Sequence, residues 1–395
     1  MTDPLGQSQV IPYMIGLTNI GYKISILSLE KNDRFKKSHI EIENKFKANN
    51  IKWYPKKFSK NFKILSKVKD IVILKLTAKK LNSINNYDII HARSYLAADI
   101  GFSICKSSNA KLLFDMRGFW PDEKAEGGNW NISNFFWKQV YKYYKNLEKK
   151  LFRYSDHIIC LTQNGKNEIC SWEFYNSHIP ISVIPCCSDE NKFTLTNENS
   201  KLEAKKILGI SSEKFTLGYL GSVGSWYMLV EMLQYFKLLK LENPASHFLF
   251  ITNSDKSIIH TEAMKQNINI SDITIKTVSH PDVPKYMKAS DMSICFIKDV
   301  YSKKASSPTK IGEILNMGIP IVINDIGDAR IISENCSGVQ LLNYFDENSI
   351  IESFKNNSSF LNINPLEIRN KSIEFYSLDK GLAKYNKAYL DLSKA

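Results

Sequence analysis

Arginine is scarce in this chain. Of its 53 basic residues only six are arginine: Arg34, Arg93, Arg117, Arg153, Arg330 and Arg369. Where lysine would serve, the chain has lysine, so a retained arginine hints at a need for its planar fork. Arg93 and Arg117, each at the end of a predicted strand, stand out on that ground. No apolar run approaches the roughly 18 residues of a membrane span, and no signal peptide is read at the start. The seven cysteines are odd in number, two are adjacent, and none form a C-x-x-C pair. That argues against a disulfide framework or a zinc site and for a reducing cytoplasm. The seven histidines include no H-E-x-x-H. No RRM, KH or helix-turn-helix pattern is present, so no nucleic-acid partner is expected.

Positive charge is abundant but uneven. The net charge is +13, and residues 31–80 hold 16 Lys/Arg against 4 Asp/Glu, which leaves the remaining chain nearly neutral. Apolar and aromatic residues interleave with these lysines in "IKWYPKKFSKNFKILSKVK", and "KQVYKYYKNLEKKLFR" at 138–153 repeats the theme. Such a surface suits an anionic membrane, at about 1 kcal/mol per well-placed lysine. A merely lysine-rich composition is the competing reading.

The first half alternates helix and strand. "SQVIPYMIGLTNI" reads as a helix, and "YKISILSLE", "YDIIHA", "AKLLFDM", "DHIICLT" and "ISVIPC" as strands. The rhythm restarts near residue 214 with "FTLGYLG", "HFLFIT", "ITIKTV", "MSICFI" and "IPIVIN". Two α/β domains with parallel sheets are expected, over 1–195 and 196–376, with 377–395 a helix that packs back on the first. A cleft between two such domains is the default ligand site. The chain opens "MTDPLGQSQ", read as a loop before a helix, so the first strand of the N-terminal domain reads as absent.

Chemistry concentrates at a few turns. In "KKASSPTKIGEILNMGIPIV" at 303–322, Ser307 reads as an N-cap, Pro308 as the first helical residue and Gly318 as the stop. The helix start carries Ser306, Ser307, Thr309 and Lys310, a setting that favours an anion. Glu313, three residues past Lys310, can share its face and accept sugar hydroxyls. "GYLGSVGSWY" at 218–227 is G-x-x-G-x-x-G, not the dinucleotide fingerprint, and lets a diphosphate approach the backbone at Gly221 and Gly224. "FDMRGFWPDE" at 114–123 gathers Asp115, Arg117, Asp122 and Glu123. "HARS" puts His91 and Arg93 at a strand end, and "GQSQ" puts Gly6 and Gln7 at a helix start.

In order and spacing these segments, with "DPLGQSQVIPY" and "VIPCCSDENKF", resemble the bacterial family-4-like glycosyltransferases of cell-surface polysaccharide synthesis, lipopolysaccharide and capsule included. The resemblance implies the GT-B fold, two Rossmann-like domains facing across a cleft. It also implies sugar transfer with retention from a nucleotide-sugar, UDP- or GDP-linked, to a glycan or polyprenyl-linked acceptor, without cofactor or metal. Donor contacts would be Gly221, Ser222, Val283, Lys303, Ser306, Ser307, Thr309, Lys310 and Glu313, with the stretch from His280 to Val283 flanking the base. Acceptor contacts would be Gly6, Gln7, Arg93, Asp122 and Glu123, and Arg117, Lys310 and Glu313 would act at the reacting groups. With the basic segment 31–80, the chain would sit peripherally on the inner face of the cytoplasmic membrane. Two positions depart from the family: the first residue of its Glu-x7-Glu motif falls at Ala305, and Trp226 and Tyr227 stand where Arg and Lys usually follow the glycine turn. A nucleotide-sugar 2-epimerase and a catalytically inactive nucleotide- or glycan-binding or scaffold protein remain the alternatives.

Overall fold

The computed structural model describes residues 1–59, 64–355 and 357–394; residues 60–63 of the basic segment lie outside them. Twelve strands form among the described residues, and every strand pair is parallel. In the first half these are β1 (Ser25–Glu30), β2 (Lys52–Lys57), β3 (Ile89–Arg93), β4 (Lys111–Asp115), β5 (His157–Cys160) and β6 (Ile181–Val183). In the second they are β7 (Thr216–Leu220), β8 (His247–Ile251), β9 (Ile273–Lys276), β10 (Met292–Cys295), β11 (Ile321–Ile323) and β12 (Val339–Leu341). The second sheet runs β12-β11-β10-β7-β8-β9. Its middle strands β7, β8 and β10 are buried at every residue, as expected of parallel strands covered on both faces.

Helices of the first half are α1 (Pro4–Gln9), α2 (Ile11–Ile20), α3 (Asn32–Ala48), α4 (Ile64–Asn85), α5 (Tyr95–Cys105), α6 (Trp120–Glu126), α7 (Phe135–Tyr154) and α8 (Gln163–Cys170). Those of the second are α9 (Glu198–Leu208), α10 (Leu229–Glu242), α11 (Lys256–Lys265), α12 (Val283–Met287), α13 (Thr309–Asn316), α14 (Ala329–Asn335), α15 (Glu347–Lys355), α16 (Asn357–Leu361), α17 (Pro365–Tyr376) and α18 (Leu378–Lys394).

The first half departs from expectation in three places. Its strands form two separate sheets, β1-β2 and β3-β4-β5-β6. The stretch read as an opening loop is already helical: Asp3 caps α1 by accepting the Gly6 N–H, and Pro4 occupies the first turn, where a missing N–H does no harm. Strand β2 lies inside the basic segment, where lysines and Pro55 hid it. A proline is tolerated because β2 pairs with β1 alone and so is an edge strand. Helix α18 returns to the first half, where Tyr385 packs on Tyr13 and both Tyr385 and Tyr389 pack on His91. No described helix is long and apolar enough to cross a membrane.

Candidate active site

The strands of both halves end at the cleft, and the charged residues gather there. On the C-terminal side α13 starts one residue later than expected. Pro308, not Ser307, is its N-cap and gives no side-chain cap. The Ser307 hydroxyl instead accepts the Cys186 N–H from the other half of the molecule. Met317 and Gly318, the latter at φ 74°, end the helix as expected. Every residue from Lys310 to Asn316 is buried, so the helix is set in a packed frame.

Lys310 and Glu313 diverge from this helix to different partners. The Lys310 Nζ lies 3.3 Å from the Tyr219 hydroxyl and 3.7 Å from the centroid of the Tyr227 ring. Among the described residues no carboxylate pairs with it. Burial pulls its pKa below the usual lysine value, against the opposing effects of Cys295 and Glu313. Glu313 is held through Oε1, 2.8 Å from His280 Nε2. The Lys310 ammonium also closes on Gly221, where an added Cβ would meet it at 2.4 Å. Gly221 has φ 122° and Gly224 φ 103°, conformations open to glycine. Ser222 is exposed on this turn, whereas Val283 is buried in the core below it.

The 3-10 turn Tyr301–Ala305, which sequence reading missed, joins the halves. Lys303 reaches Glu123 on α6 at 3.2 Å, and its Nζ stands 3.8 Å from the centroid of Trp226. Lys304 reaches Glu168 on α8 at 2.9 Å, so consecutive lysines bind two different helices of the first half. Tyr301 stacks on Phe119. Ala305 is fully buried in the N-terminal core against Gly165, where an added Cβ would come within 3.0 Å of the alanine methyl. The position of the motif's first Glu is thus used for packing between the halves, and a carboxylate there would lack room and partners. Farther along, Asp328 accepts the N–H groups of Gln163 and Asn164 at the start of α8.

On the N-terminal side, register sets the site. Arg93 ends β3 opposite Asp115 at the end of β4. The Asp115 carboxylate is fully buried and bound by Arg93 at 3.0 Å and by the Tyr385 hydroxyl at 3.0 Å, with Arg117 at 3.7 Å and His91 at 3.5 Å. Burial would raise its pKa, but Arg117 and Arg93 outweigh that and hold it well below the usual carboxylate range. Arg117 adopts φ 58°, rare for a side-chain-bearing residue, and donates to the Cys186 Sγ at 3.0 Å. Asp122 accepts from the Tyr141 hydroxyl at 2.7 Å and from Lys145 at 3.0 Å. Glu123 is the more available of the two. Gly6 and Gln7 lie on α1; the Gln7 amide turns back to the Thr2 carbonyl, and an added Cβ on Gly6 would meet Met1 at 2.8 Å. It is Gln9, not singled out in the sequence, that reaches toward the cleft, donating to the Cys187 carbonyl.

Two cavities flank the same turn. One of about 480 Å³ includes Glu168, Asp299, Lys303 and Lys304; another of about 280 Å³ includes Ser306, Ser307 and Tyr376. Neither is lined by Gly221, Lys310 or Glu313. Lys303 and Lys310 stand against the glycine-rich turn, at Trp226 and at Gly221. Among the described residues no group of three or more His, Cys, Asp or Glu side chains is disposed to hold a metal ion.

Two α/β halves with parallel sheets, in contact through the turn Tyr301–Ala305, have the GT-B fold. The chain matches, over residues 15–192 and so over less than half of its length, the family model for Glycosyltransferase Family 4. It is 23% identical, over 340 residues covering 84% of this chain and 82% of the relative, to the UDP-Gal:alpha-D-GlcNAc-diphosphoundecaprenol alpha-1,3-galactosyltransferase of Escherichia coli. Its fold is similar to that of Anabaena HepE in complex with UDP and glucose, with TM-score 0.67, 13% identity and coverage of 98% and 97% of the two chains. It is also similar to WaaG, a glycosyltransferase involved in lipopolysaccharide biosynthesis, with TM-score 0.64, 11% identity and coverage of 96% and 95%.

Proposed function

We propose that the chain transfers a sugar from a nucleotide-sugar, UDP-linked by preference, to a lipid-linked glycan acceptor, with retention and without a metal. The observation that carries this reading is the Lys310 ammonium, buried without a carboxylate beside the Gly221 backbone and one turn from Glu313. A buried cation left unpaired is costly unless an anion joins it. The E. coli relative named above uses a UDP-sugar and a lipid-linked acceptor. Residues 1–195 form the acceptor side and 196–376 the donor side, and α18 (Leu378–Lys394) returns to the acceptor side.

In this reading Gly221, Ser222 and the start of α13 (Ser306, Ser307, Thr309) cradle the diphosphate, Lys303 and Lys310 neutralise it, and Glu313 accepts the ribose hydroxyls. Val283 supports the wall beside the base. As the bond from the anomeric carbon to the β-phosphate oxygen breaks, negative charge grows on that phosphate, where Lys310 stabilises it. The acceptor hydroxyl attacks on the same face, its oxygen bonds the anomeric carbon, and its proton passes to the departing phosphate. Arg93, Arg117, Asp122 and Glu123 border the acceptor, with Gly6 and Gln7 at the edge. The buried Ala305 favours the inactive-protein alternative, because it removes one carboxylate from the donor side.

One panel separates these readings. Thermal stability is measured against UDP-, GDP-, ADP- and CMP-sugars for the wild type and Glu313→Ala. A true donor at about 100 times its Kd should stabilise the wild type by roughly 2.7 kcal/mol, and Glu313→Ala should lose that shift. No shift with any donor would sink the transferase reading, and a shift without turnover would favour the inactive protein.

An anionic membrane surface on the inner leaflet is the proposed setting for the acceptor. Its support is α4, where Val68, Val72 and Leu76 stand at helical spacing and are 51%, 47% and 63% exposed, with Lys67, Lys69, Lys75 and Lys79 also exposed along that helix. Apolar residues bordered by cations suit a headgroup interface. Val68→Ser, Val72→Ser and Leu76→Ser together should leave folding within about 0.5 kcal/mol and abolish sedimentation with phosphatidylglycerol vesicles at low salt. Unchanged sedimentation would remove α4 from the membrane surface.

A further inference from the structure

The glycine-rich turn presents two aromatic rings to the cleft, and each ring is met by a lysine. The Lys310 Nζ lies 3.7 Å from the Tyr227 centroid and 4.6 Å from that of Tyr219, and the Lys303 Nζ lies 3.8 Å from that of Trp226. Both lysines are more than nine-tenths buried. Lys303 and Lys310 come from the turn and helix on the opposite side of the groove, so the cations are delivered to the glycine-rich turn rather than encoded in it.

The rings are rigidly mounted. The Trp226 and Tyr227 N–H groups both bond to the Gly224 carbonyl, the Met228 N–H bonds to the Phe296 carbonyl, and the Lys298 N–H bonds to the Trp226 carbonyl. The segment is thereby stitched to the chain after β10. Trp226 is also wedged against the end of α6: an added Cβ on Gly127 would lie 2.6 Å from its ring. A ring face attracts an ammonium through its quadrupole but carries no charge. It can orient the buried Lys310 without neutralising it, whereas a carboxylate, such as the Glu123 that pairs with Lys303, competes with phosphate for the cation. The lowered pKa of Lys310 accords with a cation whose burial is only partly compensated.

We propose that Trp226 and Tyr227 are positioning residues of the donor diphosphate site, holding the ammonium groups of Lys303 and Lys310 over their ring faces at the Gly221–Gly224 turn. This rests on the nucleotide-sugar reading above. It gives the two aromatic residues a task that links them to the two lysines, and it explains how the turn serves a diphosphate with no cation of its own.

The test compares each nucleoside diphosphate with its own nucleoside, UDP with uridine and GDP with guanosine, by calorimetric titration. Wild type, Tyr227→Phe, Tyr227→Leu and Trp226→Leu are measured, each first checked for a cooperative melt. Tyr227→Phe keeps a ring face and should bind the preferred diphosphate within about twofold of wild type, whereas each leucine variant should weaken it roughly tenfold and leave the nucleoside unchanged. If one leucine variant fails to fold, the other and Tyr227→Phe still decide. Equal weakening of diphosphate and nucleoside, or no weakening of the diphosphate, would overturn the positioning role while the donor reading stands. A wild type that binds neither diphosphate nor nucleoside overturns the donor reading and the positioning role with it.

Discussion

Two cations are buried on opposite walls of the cleft, and their surroundings differ. Arg117 lies beside a fully buried carboxylate, Asp115, which Arg93, His91 and Tyr385 also hold. The Lys310 ammonium lies against two tyrosine rings and a phenol hydroxyl, with no carboxylate in ion-pair contact among the described residues. Arg93 and Asp115 end adjacent strands, and Tyr385 comes from the last helix, so that cluster fastens α18 to the sheet. The second cluster fastens nothing by charge. A compensated buried cation is architecture first; an uncompensated one is costly to the fold, and in the function proposed above an anion would relieve that cost.

The largest expected effect breaks the compensated cluster. Asp115→Ala leaves Arg93 and Arg117 facing each other with no anion, and should cost about 3–5 kcal/mol of folding stability, read as a lowered urea midpoint. Lys310→Met should do the opposite on the other wall. It removes an unpaired buried charge and keeps the aliphatic stem, so stability should hold or rise by about 1 kcal/mol. The same variant should bind UDP about 100-fold more weakly, the scale of a lost charge-assisted phosphate contact. If Lys310→Met destabilised the fold as much as Asp115→Ala, the contrast between the walls would be false.

How much of this could be read in the sequence follows from how local each signal is. The strands of the second half were legible because β7, β8, β10 and β11 are mostly apolar and buried at every residue, and Gly318 with Pro320 ended α13 visibly. Strand β2 was not, because an edge strand tolerates the lysines and proline that argue against a central one. Ser307 looked like a cap from its neighbours in sequence, but a partner 121 residues away, the Cys186 N–H, took its hydroxyl. Site residues followed the same rule. Lys310 and Glu313 were found from helical spacing and Arg93 and Arg117 from strand ends. The contacts of Tyr219 and Tyr227 with Lys310 and of Tyr385 with Asp115 were missed, since tyrosine carries no local mark of a site. Tyr385 lies 270 residues from the carboxylate it binds, a pairing that only the folded chain creates.

The smallest expected effect is on pH dependence, and it separates the two walls by sign. Asp115 has a folded pKa below its ordinary value of 3.8. Its contribution is therefore fully present above about pH 4 and is lost as pH falls toward the lowered value, because the unfolded state then binds more protons. Lys310 has a folded pKa below the ordinary 10.5. Between that lowered value and 10.5 the unfolded state again binds more protons, so stability should rise with pH on the alkaline side. Urea titrations at several pH values should show both limbs in the wild type. The acid limb should shrink in Asp115→Ala and the alkaline rise should vanish in Lys310→Met. Saturating UDP should also flatten the alkaline rise, because a bound diphosphate favours the charged lysine and raises its pKa. An alkaline limb insensitive to UDP would mean that the anion does not reach Lys310, and the wall described here as waiting for a ligand would be only a poorly paired core.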